Sequence, residues 1–320
     1  MPWSRRIGIG LLIATAVVTA AAPFLAPHAS NEQFADRAYA PPMSIRIFSG
    51  GFHAPFVHPL VLENRLDRRY REDTSVRIPL RWFSGGHLVT SADPQQPLLL
   101  LGADALGRDV FSRAVLGARL SLGVTMAGVL GALLLGAVIG GLAGVSSRRV
   151  DGTLMLAADF LLALPGAYLV LVLRGLMKPV LETHETFVLI ALLFAACAWP
   201  HAARGVRAIV KSERARDYAE AARAAGAGPW RMVRHLVPAA TGFLAVEIVL
   251  LVPALLVAEA TISYLNLGFT DVQASWGTML NDAANGSVLV QAPWMLAPAV
   301  AMFVVVLGAQ MAYGVRRTSW

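Results

Sequence analysis

The sequence contains a single cysteine, and only two of its 27 basic residues are lysines. Cys197 lies inside an apolar run, so the chain has no disulfide framework. Neither Lys178 nor Lys211 follows a glycine, which excludes the G-x-x-x-x-G-K-[ST] phosphate loop. The G-x-S-x-G and H-E-x-x-H motifs and Cys/His metal spacings are absent as well. We therefore expect no catalytic residue, no resident metal and no cofactor in this chain.

Apolar residues dominate what is present. The chain is 56% hydrophobic and 15% charged, with a mean hydropathy of +0.59, which is typical of membrane proteins that cross the bilayer several times. A span needs roughly 20 apolar residues. The composition therefore predicts an all-α polytopic membrane protein with about six transmembrane helices, at 7–25, 120–145, 154–176, 187–210, 242–267 and 294–315. A cleaved signal peptide is the alternative for the first run, because Ala20–Ala22 resembles a cleavage site.

A polar, irregular segment follows the first apolar run. It contains two similar pieces, Arg-Ile-Phe-Ser-Gly-Gly-Phe-His at 46–53 and Arg-Trp-Phe-Ser-Gly-Gly-His-Leu at 81–88. Gly-Gly between apolar flanks predicts β-hairpin turns, although two unrelated turns would look the same. We therefore divide the chain into an N-terminal transmembrane helix at 1–27, a small irregular or β extracytoplasmic insert at 28–101, and a core of five transmembrane helices at 102–320.

The arginines predict the orientation of the spans. With a cytoplasmic N-terminus, the basic residues at 148–149, 204–234 and 316–317 all fall on the cytoplasmic side. The short loop at 268–293, on the other side, has no lysine or arginine. Long segments such as 28–116 are exempt from this rule. Both termini are therefore expected in the cytoplasm.

The charged stretch at 204–238 separates two apolar runs. Residues 211–225 are rich in alanine, arginine and glutamate, which are strong helix formers. Gly226 suits a left-handed helix cap, and Pro229 suits the first position of a second helix. Pro238 closes the stretch. The pattern predicts two short cytoplasmic helices joined by a glycine turn, with small residues that let another protein's backbone come close.

Few ionisable residues lie within the predicted spans. Asp159, Glu247 and Glu259 are the intramembrane polar candidates, since such groups mark a transport pathway or a buried pair. Glu247 and Glu259 are about 18 Å apart along one helix, so they do not pair with each other. A proton relay would need more such groups on neighbouring spans.

The 220–226 segment, Glu-Ala-Ala-Arg-Ala-Ala-Gly, followed by Arg-His-Leu-Val-Pro at 234–238, resembles the EAA loop of ABC-importer permeases. Other pieces are similar, in the same order, to the second permease subunit of the dipeptide/oligopeptide type: 102–113, 117–121, 159–166, 259–268, 275–277 and 292–294. The resemblance is close over 102–315 and loose over 1–27. The long insert after the first span, and an interval from Gly226 to Pro238 that is one residue short, depart from the usual pattern.

The resemblance implies a permease subunit of an ATP-driven importer for peptides or peptide-like solutes, in the bacterial cytoplasmic (inner) membrane. The 213–237 helices would couple ATPase motion to the spans, and the coupling residues would be Glu220, Ala221, Ala222, Arg223, Gly226 and Pro238. Implied partners are a related permease subunit in a heterodimer, two ATP-binding subunits that hydrolyse ATP, and an extracytoplasmic solute-binding protein; nucleic acid is not among them. The alternatives are a proton-coupled secondary transporter, an importer of another solute such as a nickel chelate, or a membrane-anchored assembly factor.

Overall fold

A computed structural model describes residues 3–48, 52–64, 68–164, 172, 182–284 and 286–313. Its α-helices are, in chain order, α1 Trp3–Ala20, α2 Ala22–Leu25, α3 Val110–Val145, α4 Arg148–Ala163, α5 Thr183–Arg214, α6 Asp217–Ala224, α7 Pro229–Leu236, α8 Thr241–Tyr264, α9 Trp276–Asp282, α10 Gly286–Gln291 and α11 Ala297–Tyr313. Short 3₁₀ segments cover Ala35–Arg37, Val237–Ala240 and Pro293–Leu296. Helices thus dominate, as the composition predicts.

Five helical stretches in the described part are long and apolar enough to cross a membrane. They are Trp3–Ala20, Val110–Val145, Thr183–Arg214, Pro229–Tyr264 and Pro293–Tyr313. The remaining predicted span, 154–176, begins within α4, which ends at Ala163. Residues 165–171 and 173–181 lie outside the described residues, and these ranges include most of the second half of that span.

The chain divides into two compact units. The first contains Met1–Ile9, Gly123–Glu259 and Gly308–Trp320. Within it, Gly136, Gly140 and Gly144 form a stripe along α3 that packs against α5: a Cβ at Gly136 would lie 2.5 Å from the Ala202 Cβ, and one at Gly144 would lie 2.6 Å from Val210. Small residues therefore bring the two helix backbones together, as expected for helices in lipid.

The second unit contains Gly10–Leu122 and Ala260–Leu307. Its strands are β1 Arg46–Phe48, β2 Phe52–Val57, β3 Leu60–Asn64, β4 Arg69–Glu72, β5 Ile78–Ser84 and β6 His87–Ser91. An antiparallel four-stranded sheet has the order β1-β2-β5-β6, and β3 pairs with β4. The buried core of the sheet region contains Val57, Ile78, Leu80, Val89, Leu98 and Leu99.

The predicted Gly-Gly hairpin is confirmed for the second repeat. Ser84 pairs with His87, and the two intervening glycines have φ of +62° and +84°, which suits a tight two-residue hairpin turn. In the first repeat Phe48 pairs with Phe52, so β1 and β2 are antiparallel neighbours. The Gly50–Gly51 pair itself lies outside the described residues.

Sequence motifs more than 150 positions apart meet in this second unit. Trp276 is buried, donates its indole N–H to the Ala114 carbonyl (2.9 Å) and donates its backbone N–H to the Ser121 hydroxyl (3.0 Å). Trp294 donates its indole N–H to the Ala103 carbonyl (3.0 Å). The 102–121 and 275–294 motifs are therefore parts of one packed body.

Candidate functional site

The predicted pair of short helices is present in the 204–238 loop. Helix α5 continues to Arg214, and after Ala215 and Arg216 the chain turns into α6 and then α7. The helix-forming composition of 211–225 would allow one continuous helix across this point. Instead the helix is interrupted, because Ala219 of α6 folds back onto a buried cluster with Val206 and Val210 of α5. Tertiary packing outweighs local propensity here.

Gly226 forms the turn between the two short helices. Its φ is +81°, a left-handed conformation that glycine adopts without strain. The Ala227 N–H donates to the Ala222 carbonyl (3.0 Å), and the Gly226 N–H donates to the Arg223 carbonyl (2.9 Å). This pair of bonds is the Schellman arrangement that ends many helices. The left-handed cap predicted for Gly226 is therefore confirmed.

Helix α7 has one buried face and one exposed face. Pro229 stands at its start, where a missing N–H costs nothing. Met232, Val233 and Leu236 are buried, and Met232 and Leu236 join the cluster with α5. This fixes the register of the second short helix. Pro238 does not simply end the segment: it lies exposed in a 3₁₀ turn that leads directly into α8.

Five of the six coupling residues expected from the resemblance gather on α6 and its turn, and the sixth, Pro238, lies beyond α7. Glu220, Ala221, Arg223 and Gly226 are exposed, and Ala222 is half-buried. Glu220 and Arg223 form an ion pair of 3.4 Å with largely solvated side chains, so the pair adds little stability. A groove of about 210 Å³ opens beside them between α6 and α7, lined by Tyr218, Ala219, Ala222, Met232, His235 and Leu236.

The sequence reasoning missed Tyr218, Met232 and His235 as lining residues of this groove. The signal was present, because Tyr218 and Ala222 are four residues apart on α6, and Met232, His235 and Leu236 recur at helical spacing on α7. What the sequence could not supply was the angle between the two helices. That angle depends on the buried contacts of both helices with α5.

Asp151 also connects the loop to the neighbouring helices. It lies buried in the first turn of α4 and accepts hydrogen bonds from Lys211 and from Arg207, whose Nη2 is 2.7 Å from Oδ2. The Arg207 hydrogen bond is the main reason that the pKa of Asp151 is lowered to about 2. Arg214 donates to the Ser146 carbonyl (3.2 Å). The base of the 204–238 loop is therefore tied to the α3–α4 turn.

The three predicted intramembrane polar residues have different surroundings. Asp159 forms an ion pair with Arg204 of α5, and both side chains are about half exposed. Glu259 of α8 is fully buried, whereas Glu247 in the same helix is half-buried. Asp159 therefore belongs to a pair between helices, but this pair is half exposed and is not the buried pair expected for such a group.

A buried charge network in the second unit was not predicted as a site. Arg108 contacts Asp104 (2.6 Å), Asp271 (2.9 Å) and Asp282 (3.2 Å), and Arg113 contacts Asp271 (3.1 Å). Both arginine side chains are buried, so each charge needs these partners. Burial is the main reason that the pKa of Asp282 is raised to about 6. The network links the start of α3 to the α8–α9 loop and to the end of α9.

Residues 120–317 match the family model described as the binding-protein-dependent transport system inner membrane component. The chain belongs to this family. The match includes α4–α11 and most of α3, and therefore contains the 204–238 loop and Asp151. The resemblance drawn from the ordered motifs is confirmed, and the chain is a membrane-embedded transport component.

Curated relatives agree with the family assignment. The chain is 40% identical over 208 residues to the nickel transport system permease protein NikC of Escherichia coli, covering 65% of this chain and 73% of that protein. It is 34% identical over 215 residues to the oligopeptide transport system permease protein OppC of Bacillus subtilis, covering 67% and 68%. It is 38% identical over 182 residues to the dipeptide transport system permease protein DppC of Bacillus subtilis, covering 57% and 55%.

Proposed function

We propose that this permease couples a separate ATPase to solute import through the bent α6–α7 element. The observation that carries the proposal is the exposed surface of Glu220, Ala221 and Arg223 beside a groove, on an element whose opposite side is buried against α5. Small residues allow another protein's backbone to approach, and the exposed arginines can form charge-assisted hydrogen bonds with partner carboxylates.

The packing connects this surface mechanically to the long helix α5. Ala219, Met232 and Leu236 are buried with Val206 and Val210, which belong to the long helix α5. Closely packed side chains move together, because packed interiors have low compressibility. A force on α6 would therefore be transmitted directly to α5. From α5 it would reach α4 through the hydrogen bonds that Arg207 and Lys211 donate to Asp151.

Charge distribution supports a cytoplasmic location for the coupling element. The basic residues at 148–149, 204–234 and 316–317 would share one side with the N-terminus, while the 268–293 segment has no lysine or arginine. In this topology both termini are cytoplasmic, and the insert at 28–101 lies on the extracytoplasmic side of a bacterial inner membrane. The 102–320 core would then contain the remaining five spans.

The assembly that follows needs several other proteins. A related permease would complete the solute path as a heterodimer, and an extracytoplasmic binding protein would deliver the solute. ATP would be hydrolysed by two separate subunits, which agrees with the lack of a phosphate loop in this chain. Peptides or peptide-like molecules are the proposed cargo, because two relatives carry the names of oligopeptide and dipeptide permeases.

A nickel chelate is the second candidate cargo. It is favoured by the 40% identity to a nickel transport permease over 208 residues. Competition assays with the reconstituted importer and its binding protein would separate the two cargoes. Uptake of labelled peptide that excess nickel chelate does not reduce would support the first proposal, and the reverse result would support the second.

A paired charge reversal tests the coupling role. Glu220→Lys should insert normally but lose ATPase association and reduce ATP-dependent uptake at least about tenfold, equivalent to about 1.4 kcal/mol. Glu63→Lys is the matched control, since Glu63 is also exposed and pairs with an arginine (Arg71, 3.3 Å), but in the insert. Unaltered uptake by Glu220→Lys would contradict the proposal. Uptake that survives ATP depletion but not an uncoupler would point to a proton-coupled transporter instead.

A further inference from the structure

Two strands of the insert end in exposed apolar pairs. Ile47 and Phe48 lie at the end of β1, and Trp82 and Phe83 lie near the end of β5. Their exposed fractions are 54%, 62%, 47% and 73%, respectively. Each pair belongs to one of the two repeats in which an arginine precedes the pair and Ser-Gly-Gly follows it. The permease function does not account for this repetition.

Both pairs lie at the same end of the four-stranded sheet, along the edge where β1 and β5 both finish. Strand β2 is antiparallel to β1, with Phe48 opposite Phe52, and antiparallel to β5, with Phe56 opposite Pro79. Strands β1 and β5 therefore run in the same direction and end at the same edge. We call the set Ile47, Phe48, Trp82 and Phe83 the apolar edge.

Trp82 lies on the same face of β5 as two core residues, but beyond the core. Side chains alternate along a strand, so Ile78, Leu80 and Trp82 share one face. Ile78 and Leu80 are buried, but Trp82 is about half exposed. A large aromatic residue on the core-facing side indicates that an apolar surface outside the insert covers it.

Phe83, the residue after Trp82, contacts the short helix α2. Its ring stacks on Phe24, with centroids 6.1 Å apart and planes at 28°. Phe24 belongs to α2, which follows α1, and the 18 residues of α1 extend about 27 Å, close to the thickness of the hydrocarbon layer. Phe24 is therefore at the membrane surface where α1 ends. Phe83 also holds a φ of +54°, a strained value for a residue other than glycine, so the bulky ring is kept at some cost.

We propose that the apolar edge inserts into the interfacial layer of the lipid bilayer beside α2. Aromatic side chains are enriched at this depth, where an apolar ring meets a wet headgroup region. The contact would continue along the exposed face of α1 that contains Ile13 and Val17. It holds the insert against the membrane surface and does not depend on the identity of the cargo or of the ATPase.

Because Cys197 is the only cysteine in the sequence, removing it allows a label to be attached at one chosen position. In a Cys197→Ser background, Trp82→Cys and Ile47→Cys are each labelled with an environment-sensitive fluorophore, and the full chain is reconstituted into phosphatidylcholine vesicles. Val76→Cys is the matched control: Val76 is 46% exposed, and six residues of extended chain place it roughly 20 Å from Trp82. The readout is quenching by lipids that carry a spin label in the headgroup.

We expect headgroup-labelled lipid to remove at least about half of the emission at positions 82 and 47 and about a tenth or less at position 76. Two labelled positions keep the test valid if one substitution prevents folding. Equal quenching at 76 and 82, or no lipid quenching at either 82 or 47, would overturn the proposal. Protection from aqueous iodide without lipid quenching would also overturn it and would assign the apolar edge to a protein partner.

Discussion

The Asp151 carboxylate accepts a hydrogen bond from the Arg207 guanidinium (2.7 Å), which ties the first turn of α4 to the cytoplasmic end predicted for α5. Lys211 shares the same carboxylate one turn further along α5. Both basic residues lie within the 204–238 loop, and α5 ends three residues after Lys211, at Arg214. Asp151 is therefore the point at which a neighbouring helix holds the base of that loop.

Replacing Asp151 by asparagine should loosen this base. The two cations would lose their shared carboxylate, and charged hydrogen bonds typically contribute about 1.5–3 kcal/mol each, less where side chains are partly exposed as here. We expect a lower midpoint of thermal unfolding in detergent. The control is Asp159→Asn, whose ion pair with Arg204 is about half exposed and should matter less. Equal effects of the two substitutions would contradict the assigned role.

The same carboxyl predicts a pH dependence. The pKa of Asp151 is lowered from its usual 3.8 to about 2, so its ionised form stabilises the folded chain. That contribution is fully present above about pH 4 and is lost as the pH falls towards 2. The difference in unfolding free energy between the unmodified chain and Asp151→Asn should shrink across this range. A difference that stays constant down to pH 2 would show that the carboxylate is not stabilised.

Gly226→Ala should weaken the coupling element without removing any side-chain contact. An L-residue with a φ of +81° costs roughly 1–2 kcal/mol, so the turn between α6 and α7 should relax away from its present angle. ATPase affinity should fall by about fivefold to thirtyfold, as measured by binding to the reconstituted permease. Gly228→Ala is the control, since Gly228 has a φ of −71° and open space around it, and it should bind normally.

The sequence predicts some parts of the α6–α7 element and not others, because local backbone chemistry shapes some parts and tertiary packing shapes the rest. Gly226 and Pro229 were predictable, because a left-handed cap and a helix start are decided by local backbone chemistry. The break at Ala215 was not, since no proline or glycine marks it and the cause is the burial of Ala219 against α5. The partnership of Asp151 with Arg207 was also hidden, because it joins residues 56 positions apart.

Arg108→Ala should destabilise the second unit strongly. The guanidinium is buried beside Asp104, Asp271 and Asp282, and its loss would leave the buried Asp104 with only the more distant Arg113 (3.5 Å) as its cation, at a cost of up to about 3–5 kcal/mol. We expect poor recovery of folded protein or a large drop in its unfolding midpoint. Arg71→Ala is the control, because its ion pair with Glu63 is exposed and should contribute about 1 kcal/mol or less.

The Arg108 network shows a second limit of prediction from sequence. The 102–113 motif belongs to the family pattern, but the pattern alone gives no role to its aspartates and arginines. Pairing with Asp271 and Asp282 requires the α8–α9 loop and the end of α9 to fold back onto the start of α3. The glycine-rich hairpin at 84–87, by contrast, is decided within four residues and was predicted correctly.

Deleting residues 30–95 should impair solute delivery or gating more than membrane insertion. The described part of this segment contains all six strands, and its apolar core is largely its own. A deletion variant should therefore reach the membrane but show reduced uptake from the binding protein. Full transport by this variant would show that the insert is dispensable.

Cross-linking from position 221 tests the central claim most directly. In the Cys197→Ser background, Ala221→Cys places one reactive thiol on the exposed face of α6, whereas Val76→Cys places one in the insert. With the assembled importer in membrane vesicles, we predict that Ala221→Cys forms a cross-link to the ATPase subunit, that nucleotide changes its yield, and that Val76→Cys forms none. A position 221 that reacts only with reagents on the extracytoplasmic side, or never reaches the ATPase, would contradict the account.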